Sequence, residues 1–185
     1  RVLKRNVNRA AGRNLAIGQA RGDVIAVSDA GCVLHPDWLE KITKPIKQKQ
    51  AQVVAGWYQM STPTLFSRYS APLVGVMSHN INKKTFLPSS RSVAFTKSAC
   101  KQVGRYPTKL DYAEDLVFAQ KLSDDKQISM VVEKKALVDW LPPSSPKQLF
   151  MSIYNYTLGN IQARYRRHLI RNFLTLTRYA VELTL

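Results

Sequence analysis

The stretch Gly22-Asp23-Val24-Ile25-Ala26-Val27-Ser28-Asp29-Ala30-Gly31-Cys32 decides how this chain is read. Val24 to Val27 is too short for a helix and too uniformly apolar for a strand with one wet face. Such a run suits a strand covered on both sides, as in a largely parallel sheet. It ends in a small, polar turn around Asp29. In open α/β sheets ligands collect beyond the carboxyl ends of the strands, so Asp29 stands where chemistry is expected.

Working outward, Asn8 to Ala20 repeats small and apolar residues at helical spacing, with Gly22 placed to close the helix as a C′ residue. Downstream, Pro36 begins a helix carrying Trp38, Leu39 and Ile42. Val53 to Gly56 reads as a strand, and Thr64 to Met77 as partly helical, with Pro72 set to bend or break it. A polar loop, Asn80 to Arg91, leads to a strand from Ser92 to Phe95, a short helix from Ser98 to Val103 and a turn at Gly104-Arg105-Tyr106-Pro107. Asp111 and Glu114 have capping-box spacing at the head of a helix reaching Leu122. Strands at Ile128 to Val132 and Ala136 to Val138 precede the break Leu141-Pro142-Pro143-Ser144-Ser145-Pro146. Strands alternating with helices predict an α/β sandwich with a mostly parallel sheet over residues 1–146, followed by a basic helical segment over residues 147–185.

A chain of 185 residues can bury one sizeable core. Its 28 Lys and Arg against 12 Asp and Glu give a net charge of +16, which favours anionic partners. Two cysteines, Cys32 and Cys100, are too few for a disulfide framework, and the three histidines are scattered and suggest no zinc site. No stretch is apolar for long enough to span a bilayer. The chain opens at Arg1-Val2-Leu3-Lys4 and closes inside a helical pattern, so both ends are expected to lie within a longer protein.

The order of motifs resembles family 2 glycosyltransferases. The resemblance is carried by Asn8 with Ala11-Gly12-Arg13-Asn14-Leu15-Ala16, then Ala20-Arg21-Gly22-Asp23-Val24-Ile25-Ala26, Ser28-Asp29-Ala30-Gly31-Cys32 and Trp38-Leu39. It continues in Ser89-Ser90-Arg91-Ser92-Val93-Ala94-Phe95, Val103-Gly104-Arg105-Tyr106 and Ala113-Glu114-Asp115-Leu116 with Lys121-Leu122. No single motif is specific, but the ordered set, spanning Asn8 to Gly159, is. The resemblance implies a partial GT-A fold and an inverting glycosyltransferase. Such an enzyme moves a sugar from a nucleotide-sugar donor to a hydroxyl on a glycan or lipid-linked acceptor, here in cell-envelope glycan or glycolipid synthesis. It implies a cytoplasmic location at the inner membrane face. It also implies that the family's first strand and βα unit are missing, so that the isolated piece is inactive and its sheet lacks strands on one side of Val24 to Val27.

Moving a sugar from a nucleoside diphosphate requires charge compensation on the leaving diphosphate and a base for the acceptor hydroxyl. Asp29 resembles the first acid of the family's Asp-x-Asp motif, which implies a donor-side role and a divalent cation, Mg or Mn. Equally, Asp beside Gly makes a good turn. Gly31 stands where the second acid would be, which leaves the metal in doubt. Asp115 resembles the family's catalytic base, although an acid at a helix start also complements the dipole. Glu114 either belongs to the site or completes the cap with Asp111. Arg91 and Ser92 face the acceptor or the diphosphate, or sit in a solvated loop; Trp140 lines the acceptor side or packs.

Arg164, Arg166, Arg167, His168 and Arg171, with Leu169, Ile170, Phe173 and Leu174, form a basic amphipathic pattern. It suits an anionic membrane surface or a helix packed on further protein. Two rival functions remain at this level: a GT-A-like domain without catalysis, signalled by Gly31, and a basic nucleic-acid-binding module. The second is not expected, because the charge is spread along the chain without interleaved aromatics.

Overall fold

The computed structural model describes residues 6–76, 86–164 and 177. Helix α1 (Arg9–Gln19) starts at Asn8, whose side-chain oxygen accepts from the Ala11 N–H, and ends in extended backbone at Ala20. Gly22 is therefore not a left-handed C′ residue. Strand β1 (Val24–Val27) follows, then β2 (Cys32–Leu34), which the sequence reading had assigned to the end of a turn. Helix α2 (Trp38–Lys47) buries Trp38, Ile42 and Ile46 but leaves Leu39 exposed, and it begins at Trp38, after the N-cap Asp37, rather than at Pro36. Strand β3 (Val53–Met60) is twice the expected length. Helix α3 (Leu65–Val74) runs through Pro72 and ends at Gly75, so Pro72 does not break it.

Strand β4 (Val93–Thr96) leads directly into α4 (Lys97–Gln102). Helix α5 (Glu114–Asp124) lacks the expected capping box. Its N-cap is Ala113, held at φ 59 with no side-chain cap bond. Asp111 instead accepts from the Asn8 side chain at 3.3 Å, and Glu114 is drawn to Arg13. The two short strands expected after it are one, β5 (Met130–Trp140), with its register against β3 shifting between Ala55 and Trp57. Helix α6 (Pro146–Gln162) is capped by Ser145. Lys147 is its only charged residue, and Arg164 follows just beyond its end. The basic cluster from Arg166 onward lies outside the described residues. Among the described residues no helix is long and apolar enough to cross a membrane.

The sheet order is β1-β4-β3-β5-β2. Only β3 and β5 pair in parallel; the β1–β4, β4–β3 and β5–β2 pairs are antiparallel. The expectation of a mostly parallel sheet is thus wrong, and the reason is physical. A continuous apolar run reports burial on both faces, not strand direction. Here helices cover both faces of a mixed sheet. Alternate residues serve opposite sides: Val53, Val93 and Phe95 pack with Ala10 and Ile17 of α1 and Phe118 and Leu122 of α5. Val54 and Ala94 pack with Trp38, Ile42 and Ile46 of α2. Strand β1 stands at one edge of the described sheet. Because β4 is antiparallel to both neighbours, β1, β3 and β5 all run the same way. Their carboxyl ends share one rim with the amino ends of β4 and β2.

Candidate active site

Four of the residues singled out by sequence gather near that rim. Asp29 sits two residues beyond β1 and Arg91 two residues before β4; the strands meet there through the Val27–Val93 pair. Trp140 ends β5 beside Cys32 at the start of β2. Asp115 occupies the first turn of α5.

The turn carrying Asp29 closes when the Cys32 N–H donates to the Asp29 carbonyl at 3.2 Å. Its third residue, Gly31, has φ +89, the positive value a type II turn requires there. A Cβ at this position would meet no other atom, so dihedral strain rather than space favours glycine.

The residue that joins the site is one the sequence reading passed over. Arg13 donates to Asp29 Oδ1 at 2.6 Å through Nη2 and to Glu114 Oε1 at 2.5 Å through Nη1. It thereby ties the β1 turn to the head of α5. Burial opposes the charge on Arg13, but the pull of Asp29 and the hydrogen bonds to Glu114 and Asp29 outweigh it and raise its pKa. A signal was available in the sequence. Arg13 lies three residues after Ala10 and four before Ile17, both buried, so it shares the inward stripe of α1. A cation on such a stripe needs a carboxylate. Asn14, next to it, grips the backbone of Tyr106, donating to its carbonyl at 2.8 Å and accepting from its N–H at 3.1 Å.

Glu114 is buried and serves this ion pair, so it is a structural partner of Arg13 rather than a free acid. Asp115 is only partly buried. Its Oδ1 accepts from the Leu116 N–H at 2.8 Å and its Oδ2 from the Ser90 N–H at 3.4 Å. Ser90 is in turn held by the Tyr106 hydroxyl at 3.2 Å, and the Tyr106 ring stacks on Phe118 with centroids 4.1 Å apart. The loop before β4 is therefore braced against α5.

Arg91 lies over the rings of Trp140, at 4.0 Å, and Tyr58, at 4.9 Å. One of its nitrogens donates to the Tyr156 hydroxyl of α6 at 3.2 Å. Burial works against its charge, yet Tyr156, Tyr58, Asp115 and Asp29 together shift its pKa upward. Both carboxylates are thus within electrostatic reach of one guanidinium. Trp140 packs under that guanidinium. Ser92 is placed differently: it is fully buried, accepts from the Trp38 indole N–H at 2.8 Å and donates to the Ala136 carbonyl at 3.0 Å. Its hydroxyl is committed to the core and does not face a ligand.

The donor set can be tested against a divalent cation. Magnesium and manganese prefer oxygen ligands, usually with one or two carboxylates. Asp29 is the one acid in its turn, and its Oδ1 already holds Arg13. Among the described residues no three His, Cys, Asp or Glu side chains are grouped to hold a metal. Among the described residues Asp29 thus leaves one carboxylate oxygen for a cation, too few to hold it without further ligands.

Helix α6 closes the arrangement from outside. A Cβ on Gly159 would lie 2.7 Å from Tyr112 Cβ and 2.8 Å from the Tyr112 carbonyl carbon, so glycine allows α6 to approach the segment just before Glu114.

Several solved structures share this fold. One is Staphylococcus aureus TarS 1-349 in complex with UDP-GlcNAc: 18% identity and a TM-score of 0.56, covering 79% of this chain and 42% of that one. Another is the mannosyltransferase PcManGT from Pyrobaculum calidifontis in complex with GDP-Man and Mn2+: 18% identity and a TM-score of 0.55, covering 95% and 45%. The chain therefore spans less than half the length of these structures. At such identities the likeness is one of fold, the α/β GT-A arrangement with a mixed sheet. A comparison with curated proteins gave no match. The model of Glycosyl transferase family 2 matches residues 1–106. With more than half of its length under that model, the chain belongs to glycosyl transferase family 2.

Proposed function

We propose that this chain forms part of an inverting glycosyltransferase that moves a sugar from a nucleoside diphosphate to a hydroxyl acceptor. The observation that carries this reading is one rim of the sheet, where the Asp29 turn after β1 meets the Arg91 loop before β4 and that loop is bonded to Asp115 through the Ser90 N–H. Asp29 and Arg91 mark the donor side. Asp115 is the base, and its carboxylate takes the acceptor proton. The freed oxygen forms its bond to the anomeric carbon as the bond to the diphosphate breaks, and the diphosphate leaves with that electron pair. The transition state resembles an oxocarbenium ion. Trp140 holds Arg91 in place from the acceptor side. The relatives named above were solved with UDP-GlcNAc or GDP-Man, which supports a nucleotide-sugar donor. The role extends to cell-envelope glycan or glycolipid synthesis on a glycan or lipid-linked acceptor; its place at the inner face of the membrane is supported by the net charge of +16, which favours an anionic surface.

The test uses the full-length protein. Asp115→Asn keeps size and the Leu116 hydrogen bond but removes proton acceptance. It lowers transfer by about 10²–10⁴-fold, the worth of a positioned base, and leaves donor binding nearly unchanged. Asp29→Asn instead weakens donor binding. Full-rate transfer by Asp115→Asn sinks the base assignment.

A further inference from the structure

The donor turn is poor in carboxylate and the same rim is rich in guanidinium. Asp29 spends one oxygen on Arg13 at 2.6 Å, and a second cation at that oxygen would meet the first. Gly31 brings no side-chain ligand, and at its φ of +89 a side chain would be strained. Both features argue against a cation held by protein ligands in this turn.

Positive charge reaches the rim by another route. Arg91 makes no ion pair with any carboxylate among the described residues. A guanidinium carries five N–H donors, and the structure commits one nitrogen, to the Tyr156 hydroxyl. The Trp140 and Tyr58 rings hold its plane, so little rotamer freedom is left to lose on binding. The Cα lies two residues ahead of a core strand, a rigid support. A preoriented, unpaired guanidinium is suited to phosphate, which it can meet with two parallel hydrogen bonds.

We propose that this site neutralises the diphosphate of its donor with the guanidinium of Arg91 in place of a protein-held divalent cation. The inference rests on the donor-side reading of Asp29 and Arg91 given above. It names the ligand chemistry of that side: a nucleoside diphosphate bound through a planar, bidentate cation.

The experiment measures binding of UDP, GDP and inorganic pyrophosphate to the full-length protein by calorimetry, in excess EDTA and again in excess MnCl2. The expected dissociation constants agree within about threefold between the two conditions, a difference smaller than one hydrogen bond confers. Arg91→Lys keeps the charge but loses the fork, and weakens binding about 10-fold. Arg91→Met weakens it about 10- to 100-fold, the worth of one or two charge-assisted hydrogen bonds. Thermal melting of both variants checks the fold, and Arg91→Lys keeps the test alive if Arg91→Met does not fold. Binding that appears only with manganese overturns the inference and leaves the donor reading standing. Binding in EDTA that is indifferent to Arg91→Lys overturns the role of Arg91. If none of the three ligands binds in either condition, the donor-side reading falls, and the inference falls with it.

Discussion

Replacing Arg13 with Met retains most of the aliphatic stem in α1 and removes the one cation that serves both Asp29 and Glu114. The cost can be worked from exposure. The Glu114 side chain is 3% exposed and its partner 16%, so the lost pair leaves a carboxylate stranded in the interior. Breaking a buried pair on one side costs about 3–5 kcal/mol. The Asp29 side chain is 32% exposed, and water compensates most of its loss, which adds no more than about 1 kcal/mol. Set against a usual stability of about 5–15 kcal/mol, the Glu114 contribution alone is large. The assay is urea unfolding of the full-length protein, comparing wild type, Arg13→Met, Glu114→Gln and the double variant. Arg13→Met is expected to lower the midpoint strongly at unchanged slope. The double variant is expected to recover more than half of the loss, because a neutral amide replaces the stranded charge. The coupling between the two sites should then reach about 1–3 kcal/mol, as expected for residues in one network. If Arg13→Met costs less than about 1 kcal/mol, or the double variant is no more stable than the single one, Arg13 is not the tie between the β1 turn and α5.

Two further outcomes are expected. Gly159→Ala pushes a methyl group into the backbone of Tyr112 and Ala113. It should cost about 1–3 kcal/mol of stability, the usual penalty of overpacking, and should lower transfer as well because that segment leads into Glu114 and Asp115. A melting temperature equal to wild type would count against the close approach of α6. The full-length protein should bind vesicles containing acidic lipid and release as salt rises. Substituting Gln for Arg164, Arg166, Arg167 and Arg171 should abolish that binding, and equal binding to neutral vesicles would remove the electrostatic basis for a membrane partner.

Asp29 and Asp115 stand out in the sequence because each sits in a short motif whose neighbours are local, and the structure places both near one rim of the sheet. Glu114 shows where local reading fails. Its spacing from Asp111 has the form of a capping box, yet α1 offers both acids better partners. Asn8 takes Asp111 and Arg13 takes Glu114, across about a hundred residues of sequence. Breaking the buried Arg13–Glu114 pair would cost about 3–5 kcal/mol against about 1 kcal/mol for a helix cap, so Glu114 serves Arg13, and the N-cap is Ala113 with a left-handed backbone. Ser92 fails in the opposite sense. A serine beside an arginine at a strand entrance has the look of a ligand contact, but alternation along β4 turns it into the core toward Trp38.

By itself the sequence determined the α/β class, the apolar strand that leads to the Asp29 turn and the helix carrying Asp115. Hydrophobic runs, turn residues and helix periodicity act over a few residues and leave their mark where they act. Only the tertiary structure decided the direction of β4, the pairing of β2 with β5, the link from Arg13 to Glu114 and the seat of Arg91 between Trp140 and Tyr58. Each of these is a contact between residues far apart in the chain. Its energy depends on burial and on geometry fixed by all the other elements together, and no local pattern records it.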